Sequence, residues 1–221
     1  VIFIGDYFDS FDIKGEEQLN NFLDIIEYKK SSGKEVIMLI GNHDHHYFPE
    51  IGNTGTSGYQ SMFSYQISPV LDANREHLQM AYQMDDFIFS HAGISSMFLD
   101  SVFGKDGWKE ETMVDQVNEL FKYKPATFNF GVAVSIKKMS YLDSYGDNVE
   151  QSPIWIRPRS LMVANYDTLR TKVIQVVGHT GQNQIDIHGK TTGSRYFFID
   201  TLGTSKEYLI IDDNVVTTNT V

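Results

Sequence analysis

The chain has 221 residues, 41% of them hydrophobic, which is the composition of a globular protein long enough to bury a core. Its formal net charge is −11, and no basic stripe offsets it. A nucleic-acid backbone is therefore disfavoured as a partner, and the acidity is read as a solubility feature. Cysteine is absent. Disulfides and thiolate zinc sites are thereby excluded, and any metal must use oxygen and nitrogen ligands. A chain without cysteine fits a reducing, cytoplasmic setting. No apolar run is long enough to span a bilayer, so no membrane partner is expected.

In chain order, residues 1–4 (Val-Ile-Phe-Ile) predict a buried parallel strand. The chain opens in mid-strand without Met, so residues upstream are expected to be missing, and no domain boundary is read within 1–221. Residues 16–30 predict an amphipathic helix with Leu19, Phe22, Leu23 and Ile26 on one face and Gly33 ending it. Residues 35–40 predict the next strand, which completes a right-handed βαβ unit. Residues 51–58 are a Gly- and Thr-rich loop, and 59–66 a short helix. Residues 78–82 and 87–90 predict adjacent strands joined at 83–86. A second helix is expected over 110–122, with Val114, Val117 and Phe121 inward. Residues 123–150 lack a clear period and read as loops and short helices over a site, within a cap insertion at 96–153. Strands follow at 172–177, 194–199 and 207–211.

Chemistry gathers where these strands end. Gly5-Asp6-Tyr7-Phe8-Asp9 follows the first strand and Gly41-Asn42-His43-Asp44 the second. His91-Ala92-Gly93 and Gly178-His179-Thr180 follow two later ones. Carboxylate, amide oxygen and imidazole at the C-terminal mouths of buried strands form the donor set of a divalent-metal centre. Asn is a weak neutral ligand, usually found where a metal already has negative partners.

These four motifs, in this order, resemble those of the calcineurin-like metallophosphoesterase superfamily, closest to its serine/threonine protein phosphatase-like branch. The segment Ile154-Trp155-Ile156-Arg157 is similar to the Trp-x-Arg stretch of bacterial members. The resemblance implies an α/β fold, a central two-sheet β-sandwich flanked by helices. It implies two divalent ions, Mn foremost and Fe, Zn or Ni as alternatives. It implies a phosphoric ester hydrolase that uses a hydroxide shared by the metals. Asp6 would bridge the metals, and Asn42, His91 and His179 would complete the second metal's shell. His43 would lie against the scissile phosphate, with Asp9 fixing its ring. Arg157 would clamp phosphate oxygens. The substrate would be a phosphoprotein (phosphoserine or phosphothreonine), a dinucleoside polyphosphate or other nucleotide, or a small phosphomonoester. The family's first motif, Asp-x-His, has its place ahead of Val1. Ser10 and Ile40 stand where the phosphatase branch usually has Arg. The alternative reading is a non-catalytic binding scaffold of the same fold with an incomplete metal site.

Asp186-Ile187-His188-Gly189 spells the first motif, but no apolar strand leads into it, and it reads as a chance match in a surface turn. His45 and His46 read as solvated loop residues, and His77 as a surface residue. Asp85 and Asp86 read as turn formers. Tyr7 and Phe8 are expected to pack beneath the metals. Arg159 is left between holding an internal carboxylate and holding substrate.

Overall fold

The computed structural model describes residues 1–132, 147–165, 173–189 and 195–221. Two sheets form its centre. In the first, β1 (Ile2–Phe3), β2 (Ile37–Leu39) and β3 (Leu78–Gln79) run parallel in that order. The second has five strands in the order β4 (Ala81–Met84), β5 (Phe87–Ser90), β6 (Ile174–Val177), β8 (Arg195–Phe198) and β7 (Asp186–Gly189). Its interior pairs β5–β6 and β6–β8 are parallel, while β4 and β7 close the edges antiparallel. A hairpin of β9 (Glu207–Asp212) and β10 (Val215–Thr220) stands as a separate two-stranded ladder.

Strand alternation divides the core into three layers. Successive side chains on a strand face opposite ways. Leu39, Phe87, Phe89, Val176 and Phe197 meet in one cluster, joined by Ile2, Ile4 and Ile37 from the first sheet. Their alternate neighbours point away from it: Met38 and Ile88 join the main core under the helices. Val177, Tyr196 and Phe198 join a third cluster with Ile156 and Leu161. This is the sandwich flanked by helices that the resemblance implied.

Helix α1 (Gly15–Ser31) matches the expected segment, with Glu16 and Glu17 in its first turn and Lys29 and Lys30 in its last. Gly33, at φ +67, follows its C-cap Ser32. Its buried face differs by one position: Phe22 and Ile26 are buried, but Leu23 is 39% exposed and Gln18 goes in instead. Gln18 can do so because its amide bonds the backbone of Ser10 and Ile13.

The expected 78–82 strand is two strands. Met80, buried, marks the point where the chain leaves the first sheet for the second. Asn118, from the later helix Met113–Tyr123, secures that crossing: its Oδ1 accepts from the N–H groups of Met80 and Ala81. Asp85 and Asp86 form the β4–β5 turn, with Asp85 at φ +52. Helix α3 lies later than expected, at Ser64–Ala73, and runs through Pro69. Ile67 and Leu71, four residues apart and buried, hold it there.

Helix α5 (Met113–Tyr123) buries Val114, Val117 and Phe121 as read from the sequence, behind a 3₁₀ turn at Glu110–Thr112. Helix α4 (Ser96–Phe103) was not anticipated. The Ser95 hydroxyl caps it by accepting from Phe98 N–H at 3.0 Å. Phe98 and Leu99 of α4 and Phe128 sit in the main core, so much of the first part of the 96–153 segment is built into the core. Its residues 133–146, and the expected strand starts at 172 and 194, lie outside the described residues. Among the described residues, no helix is long and apolar enough to cross a membrane.

Phe197 is fully buried between the two sheets. Phe197→Ala is expected to lower stability by about 3–5 kcal/mol through the cavity it leaves. Urea unfolding followed by circular dichroism measures this; a loss below about 1 kcal/mol would mean that the sheets do not meet there.

Candidate metal and phosphate site

Two turns touch at the heart of the site. Gly5, at φ +86, brings the first so close to the second that an added Cβ would lie 2.4 Å from Gly41 N. A Cβ on Gly41 would fall 2.1 Å from Asp6 Oδ1. Both positions need glycine because two backbones occupy the space of one side chain.

Asp44 joins the turns. It is fully buried. One of its oxygens accepts from the N–H groups of Gly41 and Asp6, the other from Tyr7, all at 2.8 Å. Burial and the Asp6 charge push its carboxyl above the usual range, against the pull of these N–H donors. Within its own segment, Asp44 is the third residue of the short helix α2 (Asn42–His45), reaching back to the N-cap Gly41. Sequence reading assigned it no role, although Gly41-Asn42-His43-Asp44 carries half of a capping box.

Asp6, Asn42, His91 and His179 come together. The ligand atoms of Asp6, His91 and His179 lie within 4.8 Å of one another. Asn42 Oδ1 is 3.0 Å from both His91 Nε2 and His179 Nδ1. His91 Nε2 is also 3.4 Å from Asp6 Oδ2. Asp6, Asp9 and His179 all hold positive φ (60°, 67° and 64°), which non-glycine residues seldom adopt. Asp6 takes this conformation where the two turns meet.

The donor set fits a cation. His91 Nδ1 donates to the Ile4 carbonyl at 2.7 Å, which leaves the Nε2 lone pair facing two oxygens. A metal ion at this point would reconcile the three acceptors. Burial opposes protonation of His91, but Asp6 outweighs it and raises the imidazole. For Asp6, burial raises and the surrounding histidines, His91 first, lower; the result lies well below the usual range. His179 is pulled down to about 3, by burial and then by His91. It is a neutral ring whose Nε2 is buried with no hydrogen-bond partner.

A second cluster adjoins the first. His43 Nδ1 is 3.0 Å from Asp9 Oδ2, and the His43 backbone N–H donates to Asp6 Oδ1 at 3.1 Å. The Asp9 side chain is fully buried, while that of His43 is 24% exposed. Burial opposes the charge on both, but hydrogen bonding wins: Asp9 is lowered and His43 raised.

His45 and His46 are not solvated. Both are buried, His45 with Nε2 3.0 Å from the Pro125 carbonyl oxygen, and His46 with Nε2 2.7 Å from Asp9 Oδ2. The turn of α2 carries them inward, and no loop pattern in the sequence could show that. Tyr7 and Phe8 pack on Phe22 beneath the first turn. His77 is half-buried.

Arg157 Nη1 lies 3.4 Å from the Thr180 hydroxyl, beside the His179 turn. Its backbone N–H donates to Asp147 Oδ1. Arg159 is exposed and makes no ion pair among the described residues. The Asp186/His188 match is an exposed edge strand, not a turn, and its two side chains pair with each other at 2.6 Å. Asp200, just beyond β8, was missed. Burial first, and then the Asp6 charge, raise its carboxyl.

Asp44→Ala strands three inward N–H donors, each costing roughly 1 kcal/mol or more. The expected result is a loss of about 3 kcal/mol in denaturant unfolding together with weaker binding of Mn²⁺. Intact stability with intact Mn²⁺ affinity would remove Asp44 from its joining role.

The calcineurin-like phosphoesterase family model matches residues 1–202. No curated protein matches the chain. Among solved structures, the cold-active protein-tyrosine phosphatase of a psychrophilic Shewanella species is similar, with a TM-score of 0.56 at 17% identity; it covers 98% of this chain. A point mutant of a cold-active protein tyrosine phosphatase gives a TM-score of 0.55 at 20% identity, again over 98% of this chain. The chain spans 65% of the length of each. At these identities they show the shared fold. The chain belongs to the calcineurin-like phosphoesterase family, whose members are phosphoric ester hydrolases.

Proposed function

We propose that this chain carries out metal-dependent hydrolysis of phosphate esters. The observation that supports this most is the meeting of Asp6, Asn42, His91 and His179 beside the His43–Asp9 pair. Asp6, Asn42, His91 and His179 would hold a divalent ion, with manganese the leading choice. When bound, such an ion supplies charge neutralisation and an activated water.

The chain's own residues divide the remaining work. The His43 Nδ1–H is committed to Asp9, which leaves Nε2 free to face substrate. The reaction forms one P–O bond to water and breaks the bond to the leaving oxygen. In its imidazolium form, with Nδ1–H still on Asp9, His43 would give its Nε2 proton to the departing alkoxide, and the attacking water would release a proton in its turn. Arg157, held near Thr180, would neutralise charge on the phosphoryl oxygens. The His43 backbone N–H orients Asp6, whose carboxylate stays open to solvent on one side.

The choice of substrate is open between a phosphoprotein, a nucleotide and a small phosphomonoester. The structural neighbours, which are protein tyrosine phosphatases, favour protein phosphomonoesters, phosphotyrosine included. Turnover of p-nitrophenyl phosphate, a phosphotyrosine peptide, a phosphoserine peptide and diadenosine tetraphosphate in the presence of Mn²⁺ separates these. Absence of turnover with every divalent ion tried, despite ion binding, would overturn hydrolysis and leave a binding scaffold.

His43→Ala is expected to lower kcat by about 10²–10⁴-fold with metal content unchanged by elemental analysis. Loss of the metal in that variant would make His43 a ligand. For Asn42→Ala and His91→Ala the expected first effect is weaker metal binding, by about 10- to 100-fold in calorimetric titration. Unaltered affinity would take both residues out of the shell.

A further inference from the structure

We infer that Tyr47 and His46 form a positioning clamp on Asp9 that fixes the orientation of His43. The clamp is built from residues to which the reading above gives no role, and it rests on His43 being the group that meets the leaving oxygen.

The sequence places the clamp on one side of a single turn. His43, His46 and Tyr47 are spaced i, i+3 and i+4 across α2 and the residues that end it, so they project together. Asp9 meets all three from the first turn. It is held at φ +67, and Gly58 backs it so closely that an added Cβ would lie 3.2 Å from Asp9 Cβ. A buried carboxylate must be surrounded by donors. His43 Nδ1 and His46 Nε2 lie at Oδ2, and the Tyr47 hydroxyl donates to Oδ1.

The direction of the Tyr47 proton is fixed. Its oxygen already accepts from the Gln60 N–H at 2.9 Å, so its own O–H goes to Asp9. Tyr59 stacks on the Tyr47 ring at 5.0 Å and meets the His46 ring edge-on at 4.9 Å, which locks both rings. His46 is 1% exposed and approaches Asp9 off the line of a regular hydrogen bond; its Nδ1 has no hydrogen-bond partner. A buried imidazole with so little bonding of its own serves chiefly to crowd and polarise the carboxylate. With Oδ1 tied to Tyr47 and Oδ2 shared between two imidazoles, Asp9 cannot rotate away. His43 then keeps its Nδ1–H tautomer, with Nε2 turned to substrate.

Nitrogen-15 NMR of the histidine side chains tests this on the full chain, without metal or turnover, with His43→Ala to assign the signals. The wild type is expected to show His43 as the single Nδ1–H tautomer above its titration range. Tyr47→Phe is expected to give a mixture of both tautomers. Measured with Mn²⁺, the same variant should lose about 10-fold in kcat with KM within about twofold. The loss should be larger for a phenyl phosphate than for p-nitrophenyl phosphate, whose leaving group needs little protonation. Tyr65→Phe, on the exposed side of α3, controls for loss of a tyrosine hydroxyl elsewhere. A pure Nδ1–H tautomer retained in folded Tyr47→Phe would overturn the clamp. A uniform loss across leaving groups would do the same, since it signals general disruption. If the wild type turns over no phosphate ester, hydrolysis fails as a reading, yet the tautomer comparison still decides the clamp. Should Tyr47→Phe not fold, His46→Asn is read by the same spectra: mixed tautomers support the clamp, and an unchanged His43 signal contradicts it.

Discussion

One buried carboxylate sets the geometry of everything near the site. Asp44 draws together the N–H groups of Gly41, Asp6 and Tyr7, which come from two turns well apart in sequence. The turns can approach only because Gly5 and Gly41 carry no side chain. Once they are apposed, Asp6, Asn42, His43 and Asp9 have little freedom. Asp6 is strained at positive φ, and the strain is offset by bonds that no other arrangement of these turns offers.

The sandwich extends this constraint to the rest of the site. His91 follows β5 and His179 follows β6, neighbouring parallel strands of the second sheet. Parallel neighbours end on the same side, so their terminal residues share one rim. Gly178 N–H bonds the His91 carbonyl at 2.8 Å, which locks the two strand ends together. The His91 side chain in turn bonds the Ile4 carbonyl at the end of β1, and this ties one sheet's rim to the other's. The candidate site is thus assembled from four strand ends, tied together by backbone hydrogen bonds.

Much of this was legible in the amino-acid order. Short apolar runs followed by Asp, Asn or His marked the strand ends, and α1 and α5 showed in their periodicity. What escaped depended on relations that no local pattern carries. The inward turn of His45 and His46 follows from where α2 points, which the packing of the two turns decides. Asp44 was visible only as a letter beside ligands, because its partners lie across the core. Helix α4 is apolar on most sides, so it has no polar face to betray its period. The Asp186/His188 pair teaches the converse. Its letters match a metal motif, yet it sits on an exposed sheet edge where its side chains, among the described residues, bond each other. Chemistry resides in where a strand ends and what meets it there.

The most direct measurement is anomalous diffraction at the manganese edge from crystals of this protein grown with Mn²⁺. The account predicts a peak about 2.0–2.3 Å from an oxygen of Asp6, from Asn42 Oδ1 and from imidazole nitrogens of His91 and His179. A peak at another location, or a well-ordered site without one at saturating Mn²⁺, would contradict it.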